Sequence, residues 1–200
     1  MDRDGFVPNP VLAGLVGICP LIAASRSFAE GTAYGLGAAA CALALGAAAP
    51  PLRSSVSDRL QAPATLALSA AVALVFAACI KAYSPAIAAG LWVYLPLISV
   101  SGLSLYALRR SYPSRRSEDS LATLALESLM FLLTAASAGA LREFLGLGTL
   151  TLPTPGDAPL RLTAMASPPI RILVTPAGGF MLFGFLVAAY RAFVPRREGQ

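Results

Sequence analysis

Residues 9–23, NPVLAGLVGICPLIA, and residues 84–99, SPAIAAGLWVYLPLIS, repeat one pattern inside long apolar stretches. Each copy opens with a polar residue and a proline, Asn9-Pro10 and Ser84-Pro85. Each then runs through apolar residues to a second proline followed by Leu-Ile and a small residue, Pro20-Leu21-Ile22-Ala23 and Pro96-Leu97-Ile98-Ser99. Gly14 and Gly90 also correspond, four and five residues after the opening prolines. A proline inside a helix removes one backbone hydrogen bond and clashes with the preceding turn. In lipid such a break survives only where protein or a polar cavity satisfies the freed backbone groups. Paired breaks at matching places in two halves point to a repeat-built membrane protein with its site near mid-depth. Cys19 lies directly at the first break.

The rest of the chain is consistent with a membrane solvent. Hydrophobic residues make up 56% and charged residues 12%, against roughly 25% charged in a soluble domain. Mean hydropathy is +0.70. Six stretches, near 7–25, 31–50, 62–80, 84–108, 120–141 and 174–193, have the length and apolarity to cross about 30 Å of hydrocarbon as helices. Ala, Leu, Gly and Val dominate them, and small residues allow close helix packing where lipid supplies no hydrophobic drive. Three spans per half invert the second half relative to the first. The expected fold is an all-α membrane protein of six transmembrane helices, a single integral membrane domain over residues 1–200. Its repeats cover about 7–80 and 84–193, with the first and fourth helices broken at Pro10, Pro20, Pro85 and Pro96.

Charge sets the expected orientation. With six spans, both termini share a side with loops 51–61 and 109–119. That side holds Arg3, Arg53, Arg59, Arg109, Arg110, Arg115, Arg116, Arg191, Arg196 and Arg197, ten of the fifteen basic residues. Arg26, Lys81, Arg142, Arg161 and Arg171 fall on the other side. The positive-inside bias places both termini in the cytoplasm. The net charge of +5 follows from this bias, calls for no nucleic-acid partner, and suits anionic lipid headgroups. The opening MDRDG lacks the basic n-region of a secretory signal, so the first span is read as retained.

Soluble-enzyme chemistry finds little footing. The chain has no His, no CxxC pair and no glycine-rich nucleotide loop following a strand. Its three cysteines leave one odd, which argues against a disulfide framework. Cys41 falls near the middle of the second span, at a depth from which it could approach Cys19, although free cysteine commonly packs as a small hydrophobe. Cys79 lies close to Lys81 and the interface. Glu127, two turns into the fifth span, is an intramembrane ionisable residue and therefore a candidate for an ion pathway. The bland alternative is a hydrogen bond to a neighbouring helix or subunit. Arg142-Glu143 is expected to anchor the end of the same span at the interface. The Gly-, Pro- and Thr-rich loop 146–171 cannot form a long regular helix and shows no chemistry of its own.

The stretch NPVLAGLVGICPLIAAS at 9–25 resembles the N-terminal signature of the RnfE/NqrD family. These are membrane subunits of the Rnf complex, a ferredoxin:NAD oxidoreductase, and of the sodium-pumping NADH:quinone reductase. KAYSPAIAAGLWVYLPLIS at 81–99, GALREFLGLGTL at 139–150 and PAGGFMLFGFLVAAY at 176–190 resemble further family segments in the same order.

The resemblance implies a subunit of a translocase complex in the bacterial inner membrane, not an enzyme alone. It would pair with an inverted sister subunit of the RnfA/NqrE type and assemble with other Rnf subunits. In that family each member of the pair gives two cysteines to one intramembrane [2Fe-2S] cluster, and four thiolates are the usual ligand set. Cys19 matches the first of these cysteines. Gly102 stands where the second belongs, and glycine has no ligating atom. Cys41 is the one mid-depth replacement the sequence offers. The alternative is a diverged non-redox scaffold or small secondary transporter on the same inverted-repeat fold.

Overall fold

The computed structural model of the protein describes residues 18–100, 117–154, 160–163 and 170–193. Pro10, Gly14, Gly102 and the basic loop around Arg109 and Arg110 lie outside the described residues. Helix α1, described over Ile18–Ala24, contains Pro20 and stops at a non-helical stretch, residues 25–27. The chain resumes in α2 (Phe28–Ser55). Ser27 is its N-cap, with extended backbone and a side-chain oxygen that accepts from the Glu30 amide at 3.2 Å. After Val56 and Ser57 the chain enters α3 (Asp58–Tyr83).

Proline chemistry shapes the next segment. Ser84 precedes Pro85 and is extended (φ −147°, ψ 96°), as steric conflict with a following proline ring demands. Pro85 then opens α4 (Pro85–Leu91) at a position where no amide donor is needed. A turn at Trp92 and Val93 separates α4 from α5 (Tyr94–Leu97), and a 3-10 turn follows at Ile98–Val100. Pro96 lies four residues beyond Trp92, so its ring acts against the Trp92 carbonyl at this interruption.

The longest helix is α6 (Ser117–Leu147). Gly148, with φ +66°, ends it in the left-handed conformation that glycine adopts without strain, its amide donating to the Phe144 carbonyl at 3.0 Å. Strands β1 (Thr149–Leu152) and β2 (Leu160–Thr163) form an antiparallel hairpin in which Thr149 faces Thr163. A 3-10 turn at Arg171–Val174 leads into α7 (Pro176–Phe193).

Among the described residues three helices have membrane length: Phe28–Ala48, Pro63–Tyr83 and Leu121–Leu147. At about 1.5 Å per residue each crosses the ~30 Å hydrocarbon layer. The apolar part of α7 is shorter, Pro176–Ala189. Segment 84–100 is a succession of short helical pieces, in keeping with a span broken by Pro85 and Pro96, while residues 101–108 lie outside the described residues. One expectation changes. The all-α expectation fails in the loop 146–171, where TLTL at 149–152 and LRLT at 160–163, on either side of a proline-rich stretch, pair as the hairpin.

α2 and α6 run antiparallel and form the most extensive interface. A side chain at Gly31 would meet the Ala135 carbonyl oxygen at 2.5 Å, and one at Gly139 would meet the Ser27 carbonyl oxygen at 2.4 Å. These glycines let two backbones approach as large residues would not. Tyr34, Phe131, Leu21, Ile22 and Ile98 are fully buried around this pair. The most apolar of the three long helices, α3, is also the least buried, as expected of a face turned to lipid or a partner.

Candidate functional site

The α1–α2 interruption presents orphan carbonyls at one helix end and orphan amides at the next. Two adjacent side chains of α6 answer both. Arg142 is fully buried. Its Nη1 donates to the carbonyls of Ile22 and of Ser25 (2.7 Å), with Ser25 Oγ at 3.4 Å. Its Nε donates to the Leu173 carbonyl at 2.9 Å, and Nη2 donates to the carbonyls of Val174 and Thr175, both at 3.1 Å. Five carbonyls thus match the five N–H donors of a guanidinium. A buried cation in a membrane is costly unless its donors are met, and hydrogen bonds to charged groups are worth about 1.5–3 kcal/mol each. The guanidinium stitches the end of α1 to the turn that precedes α7.

Glu143, also fully buried, faces the opposite end of the gap. Its Oε2 accepts from the amide of Phe28, the first residue of α2, at 2.9 Å. Its Oε1 accepts from the hydroxyls of Thr149 (3.2 Å) and Thr151. A carboxylate at a helix N-terminus and a guanidinium at a helix C-terminus both complement the backbone dipoles. The hairpin is tied to the junction because Thr149 and Thr151, two apart on β1, present one face of the strand.

A cavity of about 400 Å³ opens beside this junction, lined by Arg26, Ser27, Glu30, Glu143, Thr149 and Thr151 together with apolar residues of α2, α4 and α6. Ser27 and Glu30 have capping-box spacing, in which the glutamate usually returns to the helix start. Here Glu143 takes the Phe28 amide. The Glu30 carboxylate lies near the backbone of Arg26 and against Gly90 of α4, while its buried Oε2 has no hydrogen-bond partner among the described residues.

The residues singled out from sequence are dispersed. Cys19 is exposed on α1. Cys41 is buried, and its thiol approaches the Ser69 carbonyl of α3 at 3.7 Å. Cys79 is exposed. Glu127 is buried on α6. Pro20 lies in α1, Pro85 opens α4 and Pro96 lies in α5. Among the described residues no three His, Cys, Asp or Glu side chains converge as a metal site.

Sequence reasoning missed that Arg142 and Glu143 are buried and hold the α1–α2 junction, and it missed the part played by Thr149 and Thr151. The visible signals were the Ser27–Glu30 spacing and two threonines on one strand face. The partners of Arg142 on and just after α1, however, lie 117 to 120 residues away in sequence.

A family described as "Rnf-Nqr subunit, membrane protein" matches residues 3–187. The chain is 28% identical over 187 residues to the E subunit of the Na(+)-translocating ferredoxin:NAD(+) oxidoreductase complex of Acetobacterium woodii, covering 94% of this chain and 92% of that one. It is 28% identical over 200 residues to the E subunit of the ion-translocating oxidoreductase complex of Pseudoalteromonas atlantica, covering 95% and 84%. With the corresponding E subunit from Shewanella putrefaciens the identity is 30% over 189 residues, covering 90% and 80%. The apolar spans, the paired proline pattern and a match over nearly the whole length agree: this chain belongs to the Rnf-Nqr family of membrane subunits.

Proposed function

We propose that this chain is the E-type membrane subunit of an Rnf-type ion-translocating oxidoreductase complex. It lies in the bacterial inner membrane with both termini cytoplasmic, beside an inverted sister subunit. The observation that carries this reading is the near full-length match to relatives named as the E subunits of such complexes. The antiparallel α2–α6 pair supports an architecture of two inverted three-helix repeats. Electron passage is coupled to Na⁺ or H⁺ movement by alternation of the repeat halves. Nicotinamide, flavin and ferredoxin chemistry belongs to other subunits.

The donor set fits a shared iron–sulfur group only in part. Cys19 is exposed and available to a partner-shared centre. Position 102 offers no second thiolate, and Cys41 lies in the α2–α3 interface against Ser69. A bound cluster would supply one-electron transfer. This chain's contribution is one thiolate on an interrupted helix, with Arg142 and Glu143 holding that interruption. The second reading, a non-redox scaffold or small transporter, is favoured by the same shortfall of one ligand.

Iron content and low-temperature EPR of the complex purified with its sister subunit, for wild type and Cys19→Ser, separate the two. Loss of about two irons and one signal supports the shared cluster. Unchanged iron and spectrum make Cys19 a packing residue and favour the scaffold or transporter.

A further inference from the structure

We infer that Arg142 is the positioning residue that sets where the thiol of Cys19 points. The inference rests on the reading of Cys19 as a functional thiol. Cys19 belongs to α1, described over Ile18–Ala24. Its buried face, Leu21 and Ile22, contacts other apolar side chains, but in lipid such contacts gain little over contact with acyl chains. The directional hold comes from the guanidinium, which grips the carbonyls of Ile22, three residues beyond Cys19, and of Ser25.

The other side of the same group grips Leu173, Val174 and Thr175. The grip is closely built. A side-chain carbon at Gly179 would lie 2.7 Å from Ile22 and 2.8 Å from the guanidinium carbon, so α7 presses the arginine and α1 together where only hydrogen fits. The fully buried face of α1 and the exposed Cys19 are therefore referenced to one fixed planar group. Lysine keeps the charge but offers a compact ammonium with three donors. It cannot serve carbonyls on both α1 and the turn before α7.

The test uses membranes carrying the assembled complex. Alkylation of Cys19 by a small maleimide is compared with that of Cys79, also exposed but at the far end of α3, by peptide mass spectrometry. Arg142→Lys is expected to change the Cys19-to-Cys79 labelling ratio several-fold at normal abundance of the protein. It should also shift, without abolishing, any EPR signal that Cys19→Ser removes. An unchanged ratio in an assembled Arg142→Lys complex overturns the inference. If that variant does not assemble, Gly179→Ala decides, since it retains the arginine and displaces it; a changed ratio supports positioning and an unchanged one refutes it. Should Cys19→Ser remove no signal, the redox reading fails while the labelling ratio still judges the placement of the thiol.

Discussion

Two interruptions, one just past the first copy of the proline pattern and one inside the second, are held by different physics. At residues 25–27 the loose backbone groups are met by Arg142 and Glu143, reaching from a helix more than a hundred residues away. At 84–93 the visible support is mostly local. The Ser84 amide donates to the Ile80 carbonyl at 2.8 Å, and the Ala88 amide donates to the Ser84 carbonyl at 3.1 Å. Farther along, Ser99 Oγ donates to the Pro96 carbonyl at 2.8 Å and Ser69 Oγ donates to the Ser99 carbonyl at 2.9 Å. A proline alone dictates that a helix stops; it does not dictate what takes up the freed groups. One junction is locked by buried charge, and the other is a chain of short turns with a neutral hydroxyl behind it.

The largest effect belongs to the locked junction. Arg142→Ala takes the guanidinium from five carbonyls, of which that of Thr175 keeps the Gly179 amide, and each buried group left unsatisfied costs about 1–3 kcal/mol. The sum is comparable to the ~5–15 kcal/mol that holds a whole domain together. Folded protein should fail to accumulate in membranes, as read by immunoblot and size-exclusion chromatography in detergent. Normal accumulation would mean that the carbonyls find other donors and that the lock is dispensable.

Gly139→Ala comes next. The new carbon would meet the Ser27 carbonyl oxygen at 2.4 Å and its carbon at 3.0 Å, and neither can swing aside because both are backbone. Forcing α6 away from the start of α2 should cost about 1–3 kcal/mol, seen as a lowered melting temperature of the purified complex.

Much of this was legible in the chain, and the part that was not has a physical cause. The prolines at 85 and 96 announced interrupted segments, and the apolar stretches announced the long helices. The exact stopping places depended on local sterics. Ser84 yields to Pro85, and Trp92 to Pro96, whereas the first gap falls at 25–27, five residues past Pro20. Arg142-Glu143 reads as an interfacial pair because charge in an apolar chain ordinarily seeks water. Only the antiparallel return of α6 along α2 carries the pair down to the gap, and that juxtaposition leaves no local periodicity. Thr149 and Thr151 sat in a loop with no evident chemistry, yet they hold Glu143 because a two-residue spacing on a strand shares one face.

Glu143→Gln sharpens the comparison at smaller scale. The amide keeps an oxygen for the Phe28 donor but loses the charge that strengthens it, and its NH₂ cannot accept from both threonines. A loss of about 1 kcal/mol is expected, and it should be less than additive with Thr151→Val in a double-mutant cycle. Full additivity would show that the hairpin and the helix start are held independently.

The smallest effect should come from Gly90→Ala, on α4 beside the second interruption. A side-chain carbon there would lie 2.3 Å from Glu30 Oε1, closer than at Gly139, but the group it meets is the tip of a flexible side chain. Glu30 can turn into the adjoining cavity, while alanine gains up to about 1 kcal/mol over glycine within a helix. The melting temperature should therefore stay close to wild type, in contrast with Gly139→Ala. A loss as large as that of Gly139→Ala would mean that the Glu30 carboxylate is fixed in place. The second junction would then also depend on a charged side chain from across the fold, and the difference between the two interruptions would collapse.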